Sequence, residues 1–131
     1  MKVLALDYGS ARTGVAVSDS TGTLARPLTV VERASTEAGL RRLAELVAAE
    51  GVERVVVGLP LTLRGEAGLQ AEETARFVET LRGVVDVPVE SFDERFTTAL
   101  AARGPSSSAP EDARAAAHLL ESYLAWTAGR A

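Results

Sequence analysis

Four carboxylates stand where ordinary folding gains little from them. Asp7 ends one apolar run, Asp93 and Glu94 end another, and Asp112 opens an apolar helical stripe. Like charges gathered beside a core need a cation, and carboxylate oxygens suit a hard ion such as Mg2+ or Mn2+ in octahedral geometry. The absence of cysteine excludes thiolate metal sites, and a single histidine argues against an imidazole-based zinc site. Two such ions roughly 4 Å apart, held by acids from separate elements, activate a water and stabilise the leaving oxygen in phosphodiester hydrolysis. Each acid also has a structural reading. Asp7 could bond the amides of an Asp-x-Gly turn, Asp93 could be a turn residue beside a solvated Glu94, and Asp112 suits a first helical turn through the helix dipole.

The elements that must position these acids follow from hydrophobic patterning. Residues 3–7 and 14–18 are short apolar runs separated by turn residues, an antiparallel hairpin, and 27–32 reads as a third strand. A helix over 36–50 carries the stripe Leu40, Leu43, Ala44 and Val47, and Gly51 stops it. The continuous run Val55, Val56, Val57 within 54–59 predicts a central strand buried on both faces, which favours a covered parallel sheet. A loop over 61–68, a helix over 69–81, a strand over 87–92, a short helix over 97–103 and a connector over 104–110 follow. The last helix starts near Pro110 and ends near Gly129. On it Asp112, Ala116, Leu119, Leu120 and Tyr123 share one face, which should pack on the sheet. Trp126 is read as core, with a dimer contact as the alternative.

This order predicts an α/β fold of ribonuclease H-like type. It is a five-stranded mixed sheet whose first three strands are antiparallel, with helices on both faces. Such sheets place ligands beyond the carboxyl ends of parallel strands, where Asp7, Asp93 and Glu94 all fall. The 131 residues, 47% of them apolar, suit one domain over 1–131. The first strand lies too near Met1 for a secretory leader and no apolar run approaches a membrane span, so a soluble cytoplasmic protein is expected. Net charge is −4, which argues against general attraction to polyanions. Contacts to nucleic acid must then be local, through arginines able to grip phosphate in bidentate fashion.

Six segments in order carry a resemblance. Asp7-Tyr8-Gly9, the run from Arg12 to Asp19, the run from Val57 to Leu61, the run from Gly68 to Ala71, the run from Asp93 to Thr98, and Asp112 followed by Ala115-Ala116 together resemble the YqgF family. That family is described as Holliday-junction-resolvase-like and as a pre-16S rRNA nuclease. The resemblance implies a ribonuclease H-like nuclease whose catalytic acids are Asp7, the Asp93-Glu94 pair and Asp112, with Asp7, Glu94 and Asp112 as metal ligands. Its expected substrate is RNA in 5′-end maturation of 16S rRNA, or single-stranded or branched DNA, handled by a monomer or homodimer. Gly9, Arg12, Arg64 and Arg95 are the candidate substrate contacts, although Arg95 could instead neutralise Glu94. A binding factor for RNA or the ribosome-assembly or transcription machinery, with little turnover, is the alternative. An actin-like or sugar-kinase-like ATPase is disfavoured, because those proteins clamp nucleotide between two such domains.

Overall fold

The computed structural model describes residues 1–60, 68–94 and 110–129. Its strands are β1 (Val3–Asp7), β2 (Arg12–Ser18), β3 (Ala25–Glu32), β4 (Arg54–Leu59) and β5 (Val89–Asp93). Its helices are α1 (Glu37–Glu50), α2 (Leu69–Arg82) and α3 (Glu111–Ala128). The sheet order is β3-β2-β1-β4-β5. β1 and β2 pair antiparallel, as do β2 and β3, while β1 with β4 and β4 with β5 are parallel. The expected mixed sheet is therefore present, but its middle position belongs to β1. β4 lies next to it, with Val55, Val56 and Val57 all fully buried.

Period-two alternation divides the sheet into two layers. Leu4, Leu6, Val15, Val17, Val55 and Val57 face one side and pack with Leu43 and Val47 of α1 and Phe77, Val78 and Leu81 of α2. Leu43 and Leu81, both essentially inaccessible to water, each contribute roughly 2 kcal/mol of burial. Val3, Ala5, Ala16, Val56 and Phe92 face the other side, against Ala116, Leu119, Leu120 and Tyr123 of α3. Small residues on that second face let α3 lie close to the strands.

β1 and β4 have the expected bounds, while other element ends differ from the sequence expectation for identifiable reasons. β2 begins at Arg12 because Arg12 and Thr13 pair with Glu32 and Val31 across the ladder. The polar composition of that stretch had suggested a turn. β5 begins at Val89 because Pro88 has no N–H for a ladder, and only its carbonyl is used, accepting from Val55 N–H at 2.9 Å. Thr36 caps α1, its hydroxyl accepting from Gly39 N–H, and Pro110 occupies the cap of α3. Trp126, expected in the core, keeps 39% of its surface exposed while touching Phe92 edge-on at 5.6 Å between ring centres. Residues 61–67 of the loop predicted over 61–68, the short helix at 97–103 and most of the connector fall outside the described residues. Among those described, no helix is long and apolar enough to cross a membrane.

α3 is fixed at both ends. Near its C-terminal half, Arg54 Nη1 donates to the Tyr123 hydroxyl at 2.9 Å, and that hydroxyl donates to Glu90. Arg54 also pairs with Glu90 at 3.6 Å. At its N-terminal end the contact is backbone on backbone, at Gly14.

Candidate active site

Asp7 is the last residue of β1, and its ladder partner on β2 is Gly14. Val3, Ala5 and Asp7 share the face that α3 covers, and Ala16 and Gly14 lie on the same face of β2. A Cβ at Gly14 would stand 1.8 Å from the Asp112 carbonyl oxygen, so only glycine admits the start of α3 here. One missing side chain thus sets Asp112 beside Asp7. The pairing has an electrostatic signature: burial raises the Asp7 pKa above its ordinary value, and the Asp112 charge raises it further.

The third acid arrives by the same device on the other side of β1. Gly58 of β4 pairs with Phe92 of β5 and lies on the α3 face with Val56. A Cβ at Gly58 would be 2.8 Å from Glu94 Oε1 and 3.0 Å from a Leu119 methyl. The Glu94 carboxylate therefore occupies the space that this glycine leaves. Its pKa is raised by burial first, then by the charges of Asp7 and Asp93. Alternation places Asp93 on the face opposite Phe92. Of the adjacent pair that the sequence could not separate, Glu94 is the one turned towards Asp7.

Arg12 lies at the rim, its Nε 3.1 Å from Asp112 Oδ2, with both side chains substantially exposed. The turn from Tyr8 to Ala11 is held at three points. Tyr8 stacks on Phe77 at 4.3 Å, Gly9 N–H donates to the Thr13 hydroxyl at 3.4 Å, and Arg33 N–H donates to the Ala11 carbonyl at 3.0 Å. Gly9 has a steric reason to be glycine, since a Cβ there would meet the Arg12 carbonyl at 2.5 Å. Arg64 and Arg95 fall outside the described residues. Asp19, the acid that closes the second family segment, lies at the opposite end of β2. There its pKa falls to about 2 through hydrogen bonds from the Thr21 hydroxyl and the Thr23 and Leu24 N–H groups. It shapes the β2–β3 turn.

Among the described residues no three histidine, aspartate or glutamate side chains converge closely enough to hold an ion by themselves. The arrangement is instead a hub, with Asp7 coupled to Asp112 on one side and to Glu94 on the other. That donor chemistry fits a hard divalent cation, which would offset the burial and, after it, the mutual repulsion that raise both pKa values.

Residues 1–126 match the family model described as RuvX, Holliday junction resolvase. The chain belongs to the RuvX family. A relative from Chloroflexus aurantiacus, named as a candidate pre-16S rRNA nuclease, is 50% identical over 99 residues, which cover 76% of this chain and 65% of that relative. A similarly named protein from Rubrobacter xylanophilus is 46% identical over 131 residues, covering 94% of this RuvX-family chain and 91% of its own length. Among solved structures, RuvC from Thermus thermophilus in complex with a Holliday junction substrate superposes with a TM-score of 0.72 at 20% identity, covering 100% of this chain and 98% of that one. The fold of this RuvX-family chain is thus RuvC-like, within the ribonuclease H-like class.

Gly14 was not singled out from sequence, and Gly58 could be read there only as a turn glycine or as one that lets the following loop approach a sugar-phosphate backbone, not as the position that makes room for Glu94. Gly14 and Gly58 appear inside the family segments, but nothing in composition or spacing distinguishes a glycine that admits a helix from one that makes a turn.

Proposed function

We propose that this protein is a divalent-metal-dependent nuclease hydrolysing nucleic-acid phosphodiesters in the cytoplasm. Its principal role in this reading is 5′-end processing of pre-16S rRNA, with resolvase-like action on branched DNA as the second substrate class. The observation that carries this reading is the coupling of Asp7 to Asp112 on one side and to Glu94 on the other, each partner approaching over a glycine of the sheet. Membership of a family described as resolvase, and relatives named as candidate rRNA nucleases, support the reaction class.

When bound, Mg2+ or Mn2+ would supply Lewis acidity, activating a water and stabilising the leaving oxygen. Asp7, Glu94 and Asp112 are the residues that would hold the ion in this reading, with Asp7 as the acid coupled to both of the others. Asp93 acts through Glu94, raising the charge density around it without facing the hub. Arg12 is the nearest described cation to Asp112 and is exposed enough to transfer a guanidinium contact from that carboxylate to a substrate phosphate. Gly9 keeps the turn between them slim enough for a sugar-phosphate backbone to approach.

The test is cleavage of single-stranded RNA, single-stranded DNA and a four-way DNA junction with manganese, comparing wild type with Asp7→Asn and Asp112→Asn. The expected result is metal-dependent cleavage in wild type and loss by a factor of about a hundred or more in each variant. Undiminished cleavage by Asp7→Asn would refute the assignment. Tight binding by all three proteins with no wild-type cleavage would favour the binding-factor reading.

A further inference from the structure

β3 ends at Glu32, which pairs with Arg12 at the start of β2, so the residue that follows, Arg33, stands at the same sheet edge as Asp7. Two interstrand spacings place it roughly 10 Å from β1. Among the described residues Arg33 is the one non-glycine with a positive φ, 47°. Its backbone is held on both sides: the N–H donates to the Ala11 carbonyl at 3.0 Å, and the carbonyl accepts from Thr36 N–H at 3.0 Å and from the Thr36 hydroxyl at 2.7 Å. Those bonds need no side chain, and glycine would adopt this conformation without strain.

An arginine kept at such a position is a pointer to what its side chain does. Arg12, Arg26, Arg41, Arg54 and Arg82 are all engaged with carboxylates. Arg33 is exposed and, like Arg42, Arg76 and Arg114, has no ion pair among the described residues, and of these four it is the one whose backbone has a positive φ. Its backbone N–H also anchors the turn that leads from Asp7 to Arg12, so the root of this side chain is tied to the turn beside the carboxylate hub.

We infer that Arg33 binds a phosphate flanking the scissile one, forming with Arg12 a two-point track that carries the nucleic-acid strand from the acids outward across β2 and β3. This rests on the nuclease reading above. It adds a subsite and a direction: the bound backbone runs towards the β3 edge of the sheet. A planar, always charged guanidinium suits a bidentate phosphate contact, and each such contact contributes about one counterion to the salt dependence of binding.

Equilibrium binding of fluorescent single-stranded RNA and four-way DNA junction probes, in calcium and across a salt series, tests it. Arg33→Gly keeps the backbone bonds and removes the strain, so its thermal midpoint should equal or exceed that of wild type. Its affinity should fall about tenfold at low salt, and the slope of log Kd against log salt should fall by about one. Arg33→Asn, which also tolerates positive φ, should reproduce the loss, and Arg33→Lys should recover most of it. Wild-type affinity and slope in both Arg33→Gly and Arg33→Asn would overturn this inference alone. A wild type that binds neither probe would overturn the nuclease reading and this inference with it.

Discussion

Substituting alanine for Gly14 tests how the site is assembled. The added Cβ would lie 1.8 Å from the Asp112 carbonyl oxygen, 2.3 Å from its carbonyl carbon and 3.0 Å from Ala113 N. Ordinary contact begins near 3.4 Å, so the start of α3 must withdraw by the difference between 3.4 and 1.8 Å, 1.6 Å. The obstacle is helix backbone, which no rotamer change relieves, and the far end of the helix is tied down through Tyr123. Overpacking of this kind costs about 3 kcal/mol, a fall in Tm of about 10 °C for a chain of this size. A displacement of about 1 Å at a reacting centre costs on the order of a hundredfold in turnover, so Asp112 should lose its function as the helix moves. Gly58→Ala is the instructive comparison, because its new methyl meets the movable end of Glu94 and a Leu119 methyl. That variant should lose less than about 1 kcal/mol of stability while cleavage falls as steeply. Guanidinium denaturation, manganese titration calorimetry and cleavage of single-stranded RNA give the three readings. Gly14→Ala with wild-type stability and wild-type manganese affinity would refute the claim that this glycine sets the approach of α3.

Asp7 and Glu94 are both held above their ordinary pKa, so the protons they retain stabilise the metal-free fold at low pH. That stabilisation is present below the unfolded values and is lost as pH rises through the folded ones. In chelator, Asp7→Asn should therefore gain in Tm relative to wild type by a few degrees as pH rises from about 4 to 7, and added Mg2+ should narrow the difference. A Tm difference independent of pH would contradict the electrostatic account. Arg12→Gln should change stability by less than about 0.5 kcal/mol, since the ion pair it breaks is exposed. By freeing Asp112 it should tighten manganese binding about twofold to fivefold in calorimetry while weakening nucleic-acid binding. Tyr123→Phe removes the hydroxyl shared by Arg54 and Glu90 and should cost about 1 kcal/mol by denaturant titration.

The strands were legible because runs such as Val55-Val56-Val57 leave one reading for a buried segment, and the face of α3 was legible from its periodicity. The starts of β2 and β5 were not, because Arg12 and Thr13 have turn composition yet find partners on β3, and Pro88 withholds an amide from the β5 ladder. The acids stood out because carboxylates end apolar runs. The choice between Asp93 and Glu94 depends on strand parity, which a one-residue change in register inverts. The pairing of Arg12 with Asp112 joins residues far apart in the chain and leaves no local trace in composition.

Because α3 meets β2 at Gly14 through main-chain atoms, the spacing of the acids is specified by what two positions lack. Substitution elsewhere in the sheet and helix can then be extensive without changing how closely the acids approach one another. A search for remote members would gain more from vacant positions opposite the acids than from the acids alone. An engineer filling voids for thermal resistance should leave these two open.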